Sequence, residues 1–188
     1  KKVEEIIEEL KKLLREIEEH NKRVIEENER SLEEIKRHNE EVIEELRELL
    51  ERIEEVVKRK GKNERVVEEL EKLARDLKKR AEEAVERNKR LLDEDRDRMR
   101  KVLERNERLL RRLRTRVEKV LRDLKRDRKE DMIRTVEDVV RRIERRVREL
   151  SRESEESIRR STETVKKLTK DTRDVVRRIL KTVRDRIK

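Results

Sequence analysis

The sequence has no cysteine, no proline, no phenylalanine, tyrosine or tryptophan, and one glycine in 188 residues. Without cysteine there is no disulfide and no thiolate chemistry, and the redox compartment is left open. Without aromatic rings there is no platform on which bases could stack and no aromatic anchor for a protein partner. The absence of proline and scarcity of glycine remove the residues that ordinarily break helices. Long apolar runs are missing too: none approaches the ~18 residues of a membrane span, and no targeting signal is visible. The chain is expected to be soluble and, once expressed, cytoplasmic, with no membrane role.

What is present is charge. Charged residues make up 59% of the chain and apolar residues 30%. Such a balance usually describes disorder, but Glu, Lys, Arg and Leu arranged with helical periodicity describe long helices or coiled coils. The net charge of +10 is unevenly spread: residues 1–60 hold 15 Lys and Arg against 20 Asp and Glu, and the remainder holds 45 against 30. An acidic first segment beside a basic remainder favours pairing between the two and opposes pairing of either with its own copies.

The segments "EIIEELKKLLREIEEHNK" (5–22), "RVIEENERSLEEIKRHNE" (23–40) and "EVIEELRELLERIEEVVK" (41–58) align at a spacing of 18. Residues 66–124 and 132–187 repeat the same apolar grid, and of the apolar residues only Leu180 falls off it. Eighteen residues in five turns matches the 3.6-residue period of an unstrained α-helix, so the apolar stripe runs straight instead of winding. The stripe covers roughly 140° of each helix, a width suited to a compact bundle.

Two breaks divide the pattern. "RKGKNE" offers Gly61 as a helix C-cap and Asn63 as an N-cap. "KRDRKED" (125–131) has no apolar residue; Asp127 with Glu130 can form a capping box, and Asp131 is an alternative N-cap. This second break lacks glycine, so a continuous helix with a phase slip is the competing reading. With turns at both, the expectation is an all-α fold: an elongated, antiparallel, up-down-up three-helix bundle of nearly untwisted helices. It forms one domain over 1–188, with helices at about 2–59, 64–126 and 130–187. A hairpin whose third helix swaps into a dimer is the rival; the wide stripe on every helix favours the monomer.

Projection at 100° per residue gives the positions nearest the bundle axis. They are Leu10, Ile17, Asn28, Ile35, Leu46 and Ile53 on the first helix. On the second they are Leu70, Leu77, Asn88, Asp95, Asn106, Leu113 and Leu124. On the third they are Val136, Ile143, Ser154, Ser161, Thr172 and Ile179. Each helix turns polar at the axis only in its middle third. Antiparallel pairing stacks these as Ile17–Asn106–Ser154, Asn28–Asp95–Ser161 and Ile35–Asn88–Thr172. His20 and Asn21 flank the first layer, and His38 and Asn39 the last. Ser31, Ser151, Ser157, Thr164 and Thr169 fill the sides. Buried polar groups without partners cost about 1–3 kcal/mol each, whereas amides and hydroxyls can satisfy one another across helices. The grouping therefore reads as a buried hydrogen-bond network whose benefit is specificity of register and topology.

The 18-residue repeat, the Glu/Lys/Arg surface, the minimal loops and the layered polar core resemble de novo designed, parametrically generated straight helical bundles with built-in hydrogen-bond networks. The resemblance covers the whole chain and implies a structural scaffold without biochemical activity. Natural spectrin-like three-helix repeats are also elongated, but they carry aromatic core residues and less perfect periodicity.

Other functions meet specific obstacles. His20 and His38 stand one repeat apart, about 27 Å along a helix, so they cannot share a metal ion in a monomer; no metal or cofactor is expected. Both read as partly exposed network histidines, with pH sensing as the alternative. Asp95 is the one carboxylate on the axis, with Arg98 and Asn28 as plausible partners. It has no nucleophile, second acid or oxyanion donor beside it, so no catalytic residue is assigned and the chain is not read as an enzyme. "RRLRTR" (111–116) and "RRIERRVRE" (141–149) could lie along phosphates, but no groove-reading motif accompanies them. Weak, non-specific polyanion binding is the most these runs imply, and no specific partner is expected.

Overall fold

The structure is a computed structural model that describes residues 2–61 and 63–188. It consists of three helices, α1 (Lys2–Lys60), α2 (Glu64–Arg126) and α3 (Glu130–Ile187), with no strand among the described residues. Charges are placed to suit the helix dipoles. Glu4 and Glu5, Glu64, and Glu130 with Asp131 lie in first turns, while Lys125 with Arg126 and Arg184 with Arg186 lie in last turns.

Gly61 has φ 69°, the left-handed conformation that ends a helix without a Cβ penalty. Asn63 then caps α2, its Oδ1 accepting from the Val66 amide at 3.0 Å. The second break is a turn as well, built without glycine. The Lys129 amide donates to the Leu124 carbonyl at 3.0 Å and the Arg128 amide to the Lys125 carbonyl at 3.2 Å. These are the two bonds of a Schellman motif, with Arg128 at φ 53° in the position that glycine normally takes. The N-cap of α3 differs from both sequence candidates. The Ile133 amide donates to the Lys129 carbonyl at 3.1 Å, which makes Lys129 the residue before the first turn. The Schellman bonds fix where the chain leaves α2, and α3 begins as soon as it can; this places Asp127 inside the turn and Asp131 inside the helix.

Contacts divide the chain into two units. The first comprises Lys1–Asn28 and Asp95–Arg159, the second Glu29–Glu94 and Arg160–Lys188, so each draws on all three helices. In the first unit Glu9 pairs with Arg116, Asn21 with Asn106 and Glu27 with Arg98. Numbers rise along α1 as they fall along α2, so the two helices are antiparallel. The pairs Glu34–Arg87 and Glu45–Arg80 show the same in the second unit.

Every axis position of the three helices is buried. In the first unit Ile6, Leu10, Ile17, Leu113, Val136, Ile143 and their neighbours form one apolar cluster, and Val24, Met99 and Val102 a smaller one. In the second, Leu46, Ile53, Leu70, Leu77, Ile179 and neighbours form the larger cluster, and Ile35, Leu92 and Val165 the smaller. Burying each such side chain stabilises by about 1.5–3 kcal/mol. Off-grid Leu180 is half-buried against the second unit's main cluster. Met132, although on the grid, is 40% exposed, because it lies in the first turn of α3 beside the Schellman loop.

Candidate functional site

In each unit a polar layer adjoins the large apolar cluster along every helix. In the second unit it is Asn39, Asn88 and Thr172, all buried. Asn88 Nδ2 donates to Asn39 Oδ1 at 3.3 Å, and Thr172 Oγ1 donates to the same oxygen at 3.0 Å. Thr172 Oγ1 also lies 3.0 Å from the carbonyl of Leu168, one turn back on its own helix. The single hydroxyl proton is thus shared between an acceptor on its own helix and one across on α1. In the first unit Asn106 Nδ2 donates to Asn21 Oδ1 at 3.1 Å.

The direct partners on α1 are thus Asn21 and Asn39, which periodicity placed beside the layers. Ile17 and Asn21 are one turn apart on the same face, as are Ile35 and Asn39. Periodicity alone does not say which member of each pair meets α2. A signal was available in the residue types: Asn21 and Asn39 are 18 apart, and so are Asn88 and Asn106.

Asn28 and Asp95 also come together in the first unit. Asn28 Nδ2 donates to the Asp95 backbone carbonyl at 3.3 Å. The Arg98 guanidinium donates to the Asp95 carboxylate and, through Nε, to Asn28 Oδ1 at 3.4 Å. Its other neighbour is Glu27 at 4.0 Å. A carboxylate that is 1% exposed is thereby held by a cation whose own side chain is 40% exposed. The arginine neutralises the buried charge while part of it stays in water.

Ser154 and Ser161 are buried on α3. Ser31, Ser151, Ser157, Thr164 and Thr169 are half-buried along the flanks. His20 and His38 are half-buried as well. Burial holds each imidazole below its ordinary pKa of 6.5; Arg105 and Arg23 push His20 the same way, and Arg87 and Arg80 do so for His38. Several buried polar atoms have no hydrogen-bond partner: Asn21 Nδ2, Asn106 Oδ1, Ser154 Oγ, Asn39 Nδ2 and Asn88 Oδ1.

Around these layers, ion pairs link the helices in one sense. Among the described residues, where α1 takes part it supplies the glutamate: Glu9, Glu27, Glu34 and Glu45 to arginines of α2, and Glu18 to Arg146 of α3. These pairs are the local counterpart of the uneven charge along the chain.

The search of solved structures found a chain described as a computationally designed three helix bundle. It matches with a TM-score of 0.51 and 18% identity, covering 98% of this chain and 92% of that one. The two chains share a fold. No protein-family model and no curated protein matches the sequence. Among the described residues no helix is long and apolar enough to cross a membrane, and no group of three or more His, Asp or Glu is placed to hold a metal ion.

Chemically, the polar layers hold two bonded amide pairs, the Thr172 hydroxyl bonded to one of them, the buried Ser154 hydroxyl, and one arginine-neutralised carboxylate. A shallow groove between α2 and α3 in the second unit, lined by Ala81, Val85, Val176 and Leu180, runs past Thr172. Its other polar lining residues are Lys, Arg and Glu side chains.

Proposed function

We propose that the chain is a designed, monomeric structural scaffold without enzymatic activity, whose buried amide layers select one register of the helices. The observation that carries this reading is the matched spacing of the two asparagine pairs, Asn21–Asn106 and Asn39–Asn88. An 18-residue repeat lets apolar positions meet apolar positions again after a slip of one repeat. The polar positions do not allow it. A slip of α2 in one direction rebuilds a single pair, Asn21 with Asn88, and sets Asn39 against Leu70, Asn106 against Val3 and Asp95 against Leu10. A slip in the other direction pairs Asn39 with Asn106 and sets Asn21 against Leu124, Asn88 against Val57 and Asp95 against Leu46. Each stranded amide costs about 1–3 kcal/mol, and a buried carboxylate without its partner costs more.

Short turns already restrict slips within one chain, so the amides discriminate most strongly against helices exchanged between chains. The test is a variant with Asn21, Asn39, Asn88 and Asn106 all replaced by Leu. It should stay helical while distributing over several pairings, including exchanged dimers, read by light scattering after size-exclusion chromatography and by cysteine cross-linking at chosen registers. A single monomeric species with the parent's cross-linking pattern would remove register selection as the role of the layers.

A further inference from the structure

The two amide layers are equivalent by sequence, and one difference between them points to a bound ligand. Thr172 lies 133 residues after Asn39, and its hydroxyl is bonded to Asn39 Oδ1 and to the Leu168 carbonyl. Ser154 lies the same distance after Asn21. Yet Ser154 Oγ bonds neither an asparagine nor the carbonyl one turn back, although the residue is fully buried. In the same layer Asn21 Nδ2 is a donor without an acceptor, and Asn106 Oδ1 an acceptor without a donor. The bond between Thr172 and Asn39 in the equivalent layer assigns Ser154 by register to the layer of the Asn21–Asn106 pair, so three partnerless polar atoms of complementary kind belong to one layer of the first unit.

We propose that Asn21, Asn106 and Ser154 hold one buried water molecule. The water accepts from Asn21 Nδ2, donates to Asn106 Oδ1 and shares its third hydrogen bond with Ser154 Oγ. Three bonds to otherwise unsatisfied groups are the usual coordination of an internal water. Direct closure of the two amides into a doubly bonded ring would satisfy two of the three atoms and leave the serine stranded. One ordered water satisfies all three, and immobilising it is a smaller penalty than three unmade bonds. The side chain at this position of α3 decides the matter. Serine lacks the methyl group that threonine adds beside its hydroxyl, so it leaves room where Thr172 fills it. The hydroxyl of Ser154 serves the water, and that of Thr172 serves Asn39 directly.

The experiment compares the parent with Ser154→Thr by crystallography at a resolution that orders internal waters. It also uses NMR magnetisation transfer from long-lived water to the side-chain amides of Asn21 and Asn106. The parent should show a water within hydrogen-bond reach of all three atoms and transfer to the Asn21 amide protons. Both should be lost in Ser154→Thr, with the new hydroxyl on Asn21 Oδ1. A ring of two direct amide bonds without water in the parent would overturn the site, and a water persisting in Ser154→Thr would overturn the role given to serine. Should that variant fail to fold, Ser154→Ala removes the third partner while keeping the space. Water-to-amide transfer should then weaken, and an unchanged signal counts against the proposal.

Discussion

The bond between Asn88 and Asn39 can be isolated by a double-mutant cycle with leucine, the residue that the same grid carries elsewhere. Leucine has nearly the length and branching of asparagine, so shape changes little and chemistry changes fully. In Asn39→Leu, Asn88 Nδ2 loses its acceptor at 3.3 Å, while Thr172 keeps the Leu168 carbonyl. In Asn88→Leu, Asn39 Oδ1 keeps the Thr172 hydroxyl at 3.0 Å. Each single variant gains buried apolar surface, so its net change mixes two effects of opposite sign. The stranding of Asn88 belongs to Asn39→Leu alone and vanishes when both residues are leucine. The double variant should therefore be more stable than the sum of the singles by about 1–3 kcal/mol. The 3.3 Å separation sets the expectation towards the lower end of that range. At about 2–4 °C per kcal/mol for a chain of this size, the coupling is readable in guanidinium melts followed by far-UV circular dichroism. Additivity within about 0.5 kcal/mol would mean that the two amides do not depend on each other, and the case for a cooperative layer would fall.

Three more outcomes follow from other sites. Arg98→Met removes the guanidinium from the buried Asp95 carboxylate and should lower stability by about 2–4 kcal/mol, below the full value for a buried pair because Arg98 is partly exposed; Asp95→Leu combined with Arg98→Met should recover most of the loss, and denaturant midpoints compare the variants. Arg128→Gly relieves a side chain from the left-handed conformation at the Schellman turn and should stabilise by about 0.5–1 kcal/mol, read as a shift of the denaturation midpoint without a change in slope. His20 and His38 have folded-state pKa values below 6.5, so the unfolded chain binds more protons between those values and 6.5. Their contribution is therefore lost as pH falls below 6.5. In a pH series of melts the parent should weaken over that window, and a His20→Asn/His38→Asn variant should weaken less.

The axis positions were legible because an 18-residue period matches the helix itself. Leu46, Asn88 and Thr172 can be assigned to the interior from spacing alone. The pairing within the polar layers was less legible. Asn21 and Ile17 share a face, and the choice between them depends on the axial offset of α2, which the turn at Gly61 sets and no single-helix projection contains. Arg98 was legible as a partner of Asp95 through its spacing of three. That Asn28 would bond the Asp95 backbone carbonyl depends on side-chain rotamers that periodicity does not address. The start of α3 was read correctly, but its N-cap was misread for a related reason. Asp127 and Asp131 have the right chemistry for an N-cap, but the Schellman bonds ending α2 had already fixed the backbone there.

The one-way sorting of charge, with glutamates on α1 and arginines on its neighbours, makes the chain divisible. A polypeptide carrying α1 and another carrying α2 with α3 would each repel copies of themselves through their excess charge and attract one another. Opening the backbone at the Gly61 turn would leave the pairs Glu9–Arg116, Glu18–Arg146 and Glu45–Arg80 as contacts between two molecules. Their amide layers would then report alignment across a non-covalent boundary, and two fused cargoes would be brought together in one orientation.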